Sequence, residues 1–192
     1  MRRSLLVAGF SAIPGHRRNP AEIVARRLEM EKRRFALAGI DLHVAVLPVE
    51  HDALSPLLSR LFAATSPDAV LLLGVAGRRR RLTVETLARN RVSILKPDAA
   101  RRRAFCRFIV HGGPDGLRAP CSAPRLAALA RRKGLATAPS RDAGDYLCNE
   151  SLYLSLLMDR RACFLHLPNW RGVMLERAAR VILLMAKDFA IA

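Results

Sequence analysis

Several things are scarce in this chain of 192 residues, and each scarcity narrows what it can do. No apolar run reaches the ~18 residues that a membrane-crossing helix needs, so a spanning protein is not expected. The four cysteines, Cys106, Cys121, Cys148 and Cys163, contain no CxxC pair, which argues against a zinc cluster. Four cysteines in a chain this long are also too few for a disulfide framework, so free thiols in a reducing, cytoplasmic compartment are expected. Tryptophan and tyrosine together number three, too few for the stacked aromatic platform of an RNA binder. No HExxH occurs, and no Walker lysine follows the glycines at 74–77, which also lack GxGxxG spacing. Neither a metal nor an organic cofactor is therefore expected.

Acidic residues are scarce relative to basic ones. Lys and Arg number 33 against 16 Asp and Glu, a net charge of +17. Such a charge favours nucleic acid or anionic lipid. The basic residues are dispersed in short groups, at 26–27, 32–34, 78–81, 101–103 and 131–133. They are read as surface composition, and nucleic acid is a disfavoured partner.

Apolar runs alternate with amphipathic stretches. Residues 4–9 follow a basic start and could belong to a leader, but they read better as a first strand. Asn19-Pro20 then caps and opens a helix, Glu22 suits its positive end, and Gly39 stops it. Strands are expected over 42–47, 69–73, 135–138 and 163–167, with 69–73 central and covered on both faces. Helices are expected over 56–65, from Ser122 to a stop at Gly134, over 148–158 and over 173–189. Leu152, Leu156 and Leu157 would share one side of the third of these. Residues 97–103 read as a loop. The alternation predicts a single α/β domain over residues 1–192, with three αβα layers around a mostly parallel, twisted central sheet.

In such folds function gathers at the carboxyl ends of strands. Phe10, the glycines at 74–77 and His166 lie there, and Cys148 begins a helix. A helix N-terminus favours a thiolate, and a nearby histidine can activate it. From spacing alone, Cys148 beside Leu147 reads better as a packing residue than as a nucleophile. Cys163, inside an apolar strand, reads as core. His43 and His111 read as strand or loop residues, and His16 and His51 as loop residues.

Four blocks in order then carry a resemblance: GFSAIPGHRRNP at 9–20, LGVAGRRRRLTVETLARN at 73–90, SRDAGDYLCNESLY at 140–153 and FLHLP at 164–168, with a weaker IVHGGP at 109–114. Together they resemble the pyroglutamyl-peptidase I family, the pyrrolidone-carboxylate peptidases. The resemblance implies a cysteine peptidase that hydrolyses the amide bond after an N-terminal pyroglutamyl residue. It implies Cys148 as nucleophile, His166 as acid and base, and Glu85 as the group that orients His166. It places Phe10 and Tyr146 against the pyroglutamyl ring. It also implies a cytoplasmic homo-oligomer, a dimer or tetramer. The chain departs from the family pattern at substrate-binding positions. Ile13 replaces the second aromatic of the opening block, and Val75 stands where glutamine is usual. Glu150 stands where histidine is frequent, and residues 91–108 follow the pattern poorly. These departures leave a diverged thiol amidase with another small acyl substrate as one alternative. An inactive basic nucleic-acid or anionic-surface binder on the same fold is another.

Overall fold

The computed structural model describes residues 2–12, 18–158 and 160–192. Among the described residues, eight strands and six helices follow one another, beginning with β1 (Arg3–Phe10). Six of its eight residues are buried, as a strand covered on both faces requires. Next come α1 (Pro20–Met30), α2 (Lys32–Ala36), β2 (Ile40–Leu47), α3 (His51–Thr65) and β3 (Ala69–Val75). The short strands β4 (Leu82–Glu85), β5 (Leu87–Arg89) and β6 (Gly116–Arg118) lead to α4 (Ala123–Arg132), β7 (Thr137–Ser140), α5 (Leu147–Leu157), β8 (Ala162–Leu167) and α6 (Gly172–Ile191).

The main sheet has the order β2-β1-β3-β8-β4-β7. The first four strands run parallel; β4 runs antiparallel to β8, and β7 parallel to β4. This is the expected αβα architecture with a mostly parallel sheet, and β3 is central as expected. Strand alternation sends Leu5, Val7, Leu71, Cys163 and Leu165 into one core with α1, α4 and α6. It sends Leu6, Ala8, Phe10, Leu72 and Phe164 into the other with α3 and α5. Cys163 is fully buried, as core.

Several boundaries differ from the sequence expectation. Asn19 does cap α1, its side-chain oxygen accepting from the Ala21 amide at 2.9 Å. The helix breaks at Glu31, whose amide turns back to the Leu28 carbonyl, and α2 covers the remainder before Gly39 at φ 73°. Helix α3 starts at His51, with Pro56 inside it rather than at its start. Asp98, from a distant loop, accepts from the His51 amide at 3.2 Å and so supplies a cap that no neighbour in sequence provides. Ser122 precedes α4, but its side chain makes no capping bond. Strand β7 lies two residues later than expected. In α5, Leu152 is buried but Leu157 is exposed, because the helix packs instead through Leu147, Leu152, Tyr153 and Leu154. Strand β4 had no periodic signal: four residues after an arginine run are too few to show one.

Candidate active site

Three of the singled-out side chains come together where β3, β8, β4 and α5 meet. Phe164 and His166 alternate with the core residues of β8, so both face α5. Thr83 pairs with His166 and Glu85 with Phe164 across the antiparallel β4–β8 ladder. That register brings Glu85 Oε1 to 2.9 Å from His166 Nδ1. Both side chains are buried, Glu85 completely. The bond makes Nδ1 the donor and leaves Nε2 as the nitrogen for other work. The Phe164 ring lies 4.6 Å from the imidazole, tilted by 48°.

Cys148 is the second residue of α5 and faces the imidazole. Gly74, which pairs with His166 across β3–β8, makes room for it. A Cβ at Gly74 would lie 2.9 Å from the Cys148 sulfur and 2.6 Å from the Phe164 ring. The first-turn amides of α5 have no intrahelical partner by construction, and the helix dipole points its positive end there.

Charge in the site follows from this packing. Burial by itself would push His166 down. The facing Cys148 sulfur and the Glu85 carboxylate more than reverse this, raising it to about 9. Burial pushes Glu85 up, but the hydrogen bond from His166, the neighbouring Ser140, and the His166 and Arg79 charges bring it below its ordinary value.

A cavity of about 280 Å³ opens beside Cys148, lined by Phe10, Val49, Val75, Tyr146 and Leu147 with Arg18, Asn19 and Asn169 at its polar edge. Three expected substrate-contacting residues, Phe10, Val75 and Tyr146, therefore share one cavity with Cys148. Ile13 lies outside the described residues. The Tyr146 hydroxyl donates to the Pro97 carbonyl at 2.8 Å, so residues 97–103 are tied to the cavity wall. Among the described residues, no group of three or more His, Cys, Asp or Glu side chains is placed to hold a metal ion.

Three further groups carry the site, none of them marked by spacing. Asn149 is buried, accepts from the Arg89 amide at 2.9 Å and donates to the Arg89 and Arg91 carbonyls at 2.8 Å, anchoring the start of α5 to β5. His51, read as a loop residue, opens α3 and meets Glu150 at 2.6 Å, with its ring edge-on to Tyr146 at 5.5 Å. The only sequence hint was that Glu150 stands where histidine is frequent in the resembled family. Arg79, read as part of a surface run, instead turns inward onto Glu85.

Comparison with known proteins identifies relatives over most of the chain. The chain matches the pyroglutamyl peptidase family over residues 3–186. It is 33% identical over 170 residues to the pyrrolidone-carboxylate peptidase of Thermococcus onnurineus, covering 85% of this chain and 82% of that one. It is 28% identical over 190 residues to pyroglutamyl-peptidase 1 of Homo sapiens, covering 95% and 88%. The crystal structure of pyrrolidone carboxyl peptidase from Thermus thermophilus superposes with a TM-score of 0.85 at 35% identity, over 95% of this chain and 98% of that one. On this evidence the chain belongs to the pyroglutamyl peptidase family.

Proposed function

We propose that this chain is a cysteine peptidase that releases an N-terminal pyroglutamyl residue, with Cys148, His166 and Glu85 as its catalytic triad. The observation that carries the reading is the hydrogen bond from His166 Nδ1 to the buried Glu85, which leaves the other ring nitrogen for Cys148 at the mouth of the cavity. His166 takes the thiol proton, and the sulfur attacks the carbonyl carbon that joins the pyroglutamyl ring to the next residue. The tetrahedral oxygen is met by backbone amides at the start of α5. His166 then gives its proton to the departing amine as the C–N bond breaks. Water, deprotonated by the same imidazole, cleaves the thioester, frees pyroglutamate and restores the thiol. Glu85 keeps the imidazole in the donor-to-carboxylate tautomer and stabilises its charged form.

A pyroglutamyl end has no ammonium group to grip, so its pocket must enclose a small ring. A cavity of about 280 Å³ walled by Phe10, Val75 and Tyr146 suits such a ring. Val75 also supports a second reading, a thiol amidase for a less polar acyl group, because it offers the ring amide no hydrogen bond where the family usually has glutamine. Family resemblance further supports a cytoplasmic homo-oligomer, a dimer or tetramer, built from one catalytic domain spanning the chain. Sedimentation of the purified protein measures that assembly directly.

The test is hydrolysis of a pyroglutamyl fluorogenic amide beside prolyl and other small acyl amides. Turnover of the pyroglutamyl amide by the wild type, lost in Cys148→Ser, is expected. Preference for another acyl amide would select the second reading, and turnover that survives Cys148→Ser would remove the mechanism.

A further inference from the structure

We infer that Arg79 is a positioning residue for this reaction, holding Glu85 as a carboxylate aligned on His166 and tying it to the loop that delivers Cys148. The inference rests on the proposed triad. Arg79 lies in the turn between β3 and β4, and of the run at 78–81 it is the arginine that turns inward; Arg78, Arg80 and Arg81 are exposed. Its side chain is only 25% exposed. Nη1 donates to Glu85 Oε1, the same oxygen that His166 Nδ1 addresses, and to Thr83 Oγ1. Nη2 donates to the Asp142 carbonyl, in the segment that leads to α5. Thr83 Oγ1 also donates to Glu85 Oε1, at 3.2 Å. One guanidinium thus joins the orienting carboxylate to the approach of the nucleophile, a fork that a single-point ammonium cannot reproduce.

The need for such a cation follows from burial. Glu85 is fully buried, and its Oε2 has no hydrogen-bond partner among the described residues. During the reaction His166 gains a proton from the thiol and loses it to the amine. Each time it is neutral, a carboxylate partnered by His166 alone would be an uncompensated buried charge. The imidazole would then keep its proton and deliver it poorly. An arginine stays charged throughout and removes that penalty. Among the described residues, the ionisable groups that face Glu85 and His166 are Cys148 from α5 and Arg79 from the turn, with Thr83 and Ser140 as neutral partners, while Cys163 of β8 feels the Glu85 charge from the opposite face of the sheet. Arg79 is the permanent cation among them.

The experiment compares wild type, Arg79→Met and Arg79→Lys. For each, kcat and KM for the pyroglutamyl amide are measured from pH 5 to 10, with circular dichroism as the folding control. Arg79→Met is expected to lose roughly 100-fold in kcat, with KM changed far less, since alignment and not ring binding is lost. Its alkaline limb is expected to rise by about one pH unit, because the imidazole keeps its proton longer. Arg79→Lys is expected to return the limb to the wild-type position while recovering only part of the rate. Unchanged kcat in either variant, or equal losses in both with an unmoved limb, would overturn the inference. If Arg79→Met does not fold, Arg79→Lys decides by rate and limb together: a wild-type kcat or a displaced limb overturns the inference, and a reduced kcat with an unmoved limb supports it. A wild type that leaves the amide uncut would defeat the proposed activity instead. The pH profile of Cys148 alkylation by iodoacetamide then tests Arg79 without a substrate, and the same shift in its upper inflection is expected.

Discussion

Gly74 has no side chain, and the site depends on that. A methyl group there would press on both the Cys148 sulfur and the Phe164 ring, at 2.9 and 2.6 Å. Neither can yield cheaply, since Phe164 is fully buried and the sulfur is carried on the first turn of α5. Gly74→Ala is therefore expected to cut kcat/KM by roughly 100-fold, and to lower stability by about 1–3 kcal/mol through overpacking. Amide hydrolysis and thermal melting check the two effects separately. Val75 is next in the chain and borders the cavity. Val75→Gln would supply the amide that the family usually has there. One good hydrogen bond to the ring is expected to lower KM for the pyroglutamyl amide by about tenfold. A KM that rises or stays fixed would indicate that the cavity was shaped for a less polar group.

At the scale of elements, the site depends on how α3 and α5 are held together. His51 and Glu150 join their N-terminal ends, with side chains 7% and 12% exposed. The hydrogen bond that His51 donates to the Glu150 carboxylate raises His51 above its ordinary value of 6.5, against the lowering effect of burial. Because the folded value is the higher one, the stabilisation is complete below the unfolded value and fades as pH rises through the folded one. Glu150→Ala leaves His51 buried without its partner and is expected to cost about 3 kcal/mol at pH 6. His51→Leu with Glu150→Leu removes both charges and is expected to recover much of that loss. Denaturant unfolding at pH 6 and pH 9 measures both variants, and the cost of Glu150→Ala should shrink at the higher pH. The same ends carry Tyr146, which touches His51 and the Pro97 carbonyl, so a slack pair would also loosen one wall of the cavity.

For the whole molecule, pH and charge are the measurable quantities. With His166 raised to about 9, kcat/KM for the free enzyme is expected to hold through neutrality and fall above pH 9 as the imidazolium is lost. The stability that His166 contributes has the same sign as that of His51: present below 6.5 and lost as pH rises through about 9. The basic residues behind the net charge of +17 are dispersed along the chain in short groups. Arg26, Arg27, Lys32, Arg34, Arg102 and Arg125 each meet a carboxylate, and most of these pairs are well exposed. Retention on a nucleic-acid column is accordingly expected to be weak at physiological salt, with a shallow salt slope. Among the described residues, no helix is long and apolar enough to cross a membrane.

What the sequence determined by itself was local. An apolar run of five residues becomes a central strand whatever surrounds it, Asn19-Pro20 opens a helix through its own bonds, and Phe164 and His166 must share a face because they are two apart. The motif blocks added Cys148 and Glu85 by resemblance, and Phe10, Val75 and Tyr146 with them. The tertiary structure decided what depends on residues far apart in the chain. Glu85 and His166 are separated by 81 residues and His51 and Glu150 by 99, so no periodicity links them. The antiparallel seating of β4 turned one arginine of a basic run inward onto a buried carboxylate. Asp98 moved the start of α3 to His51. In each case a buried charge or an unpaired amide had to find its partner across the fold, and only packing could choose which residue that would be.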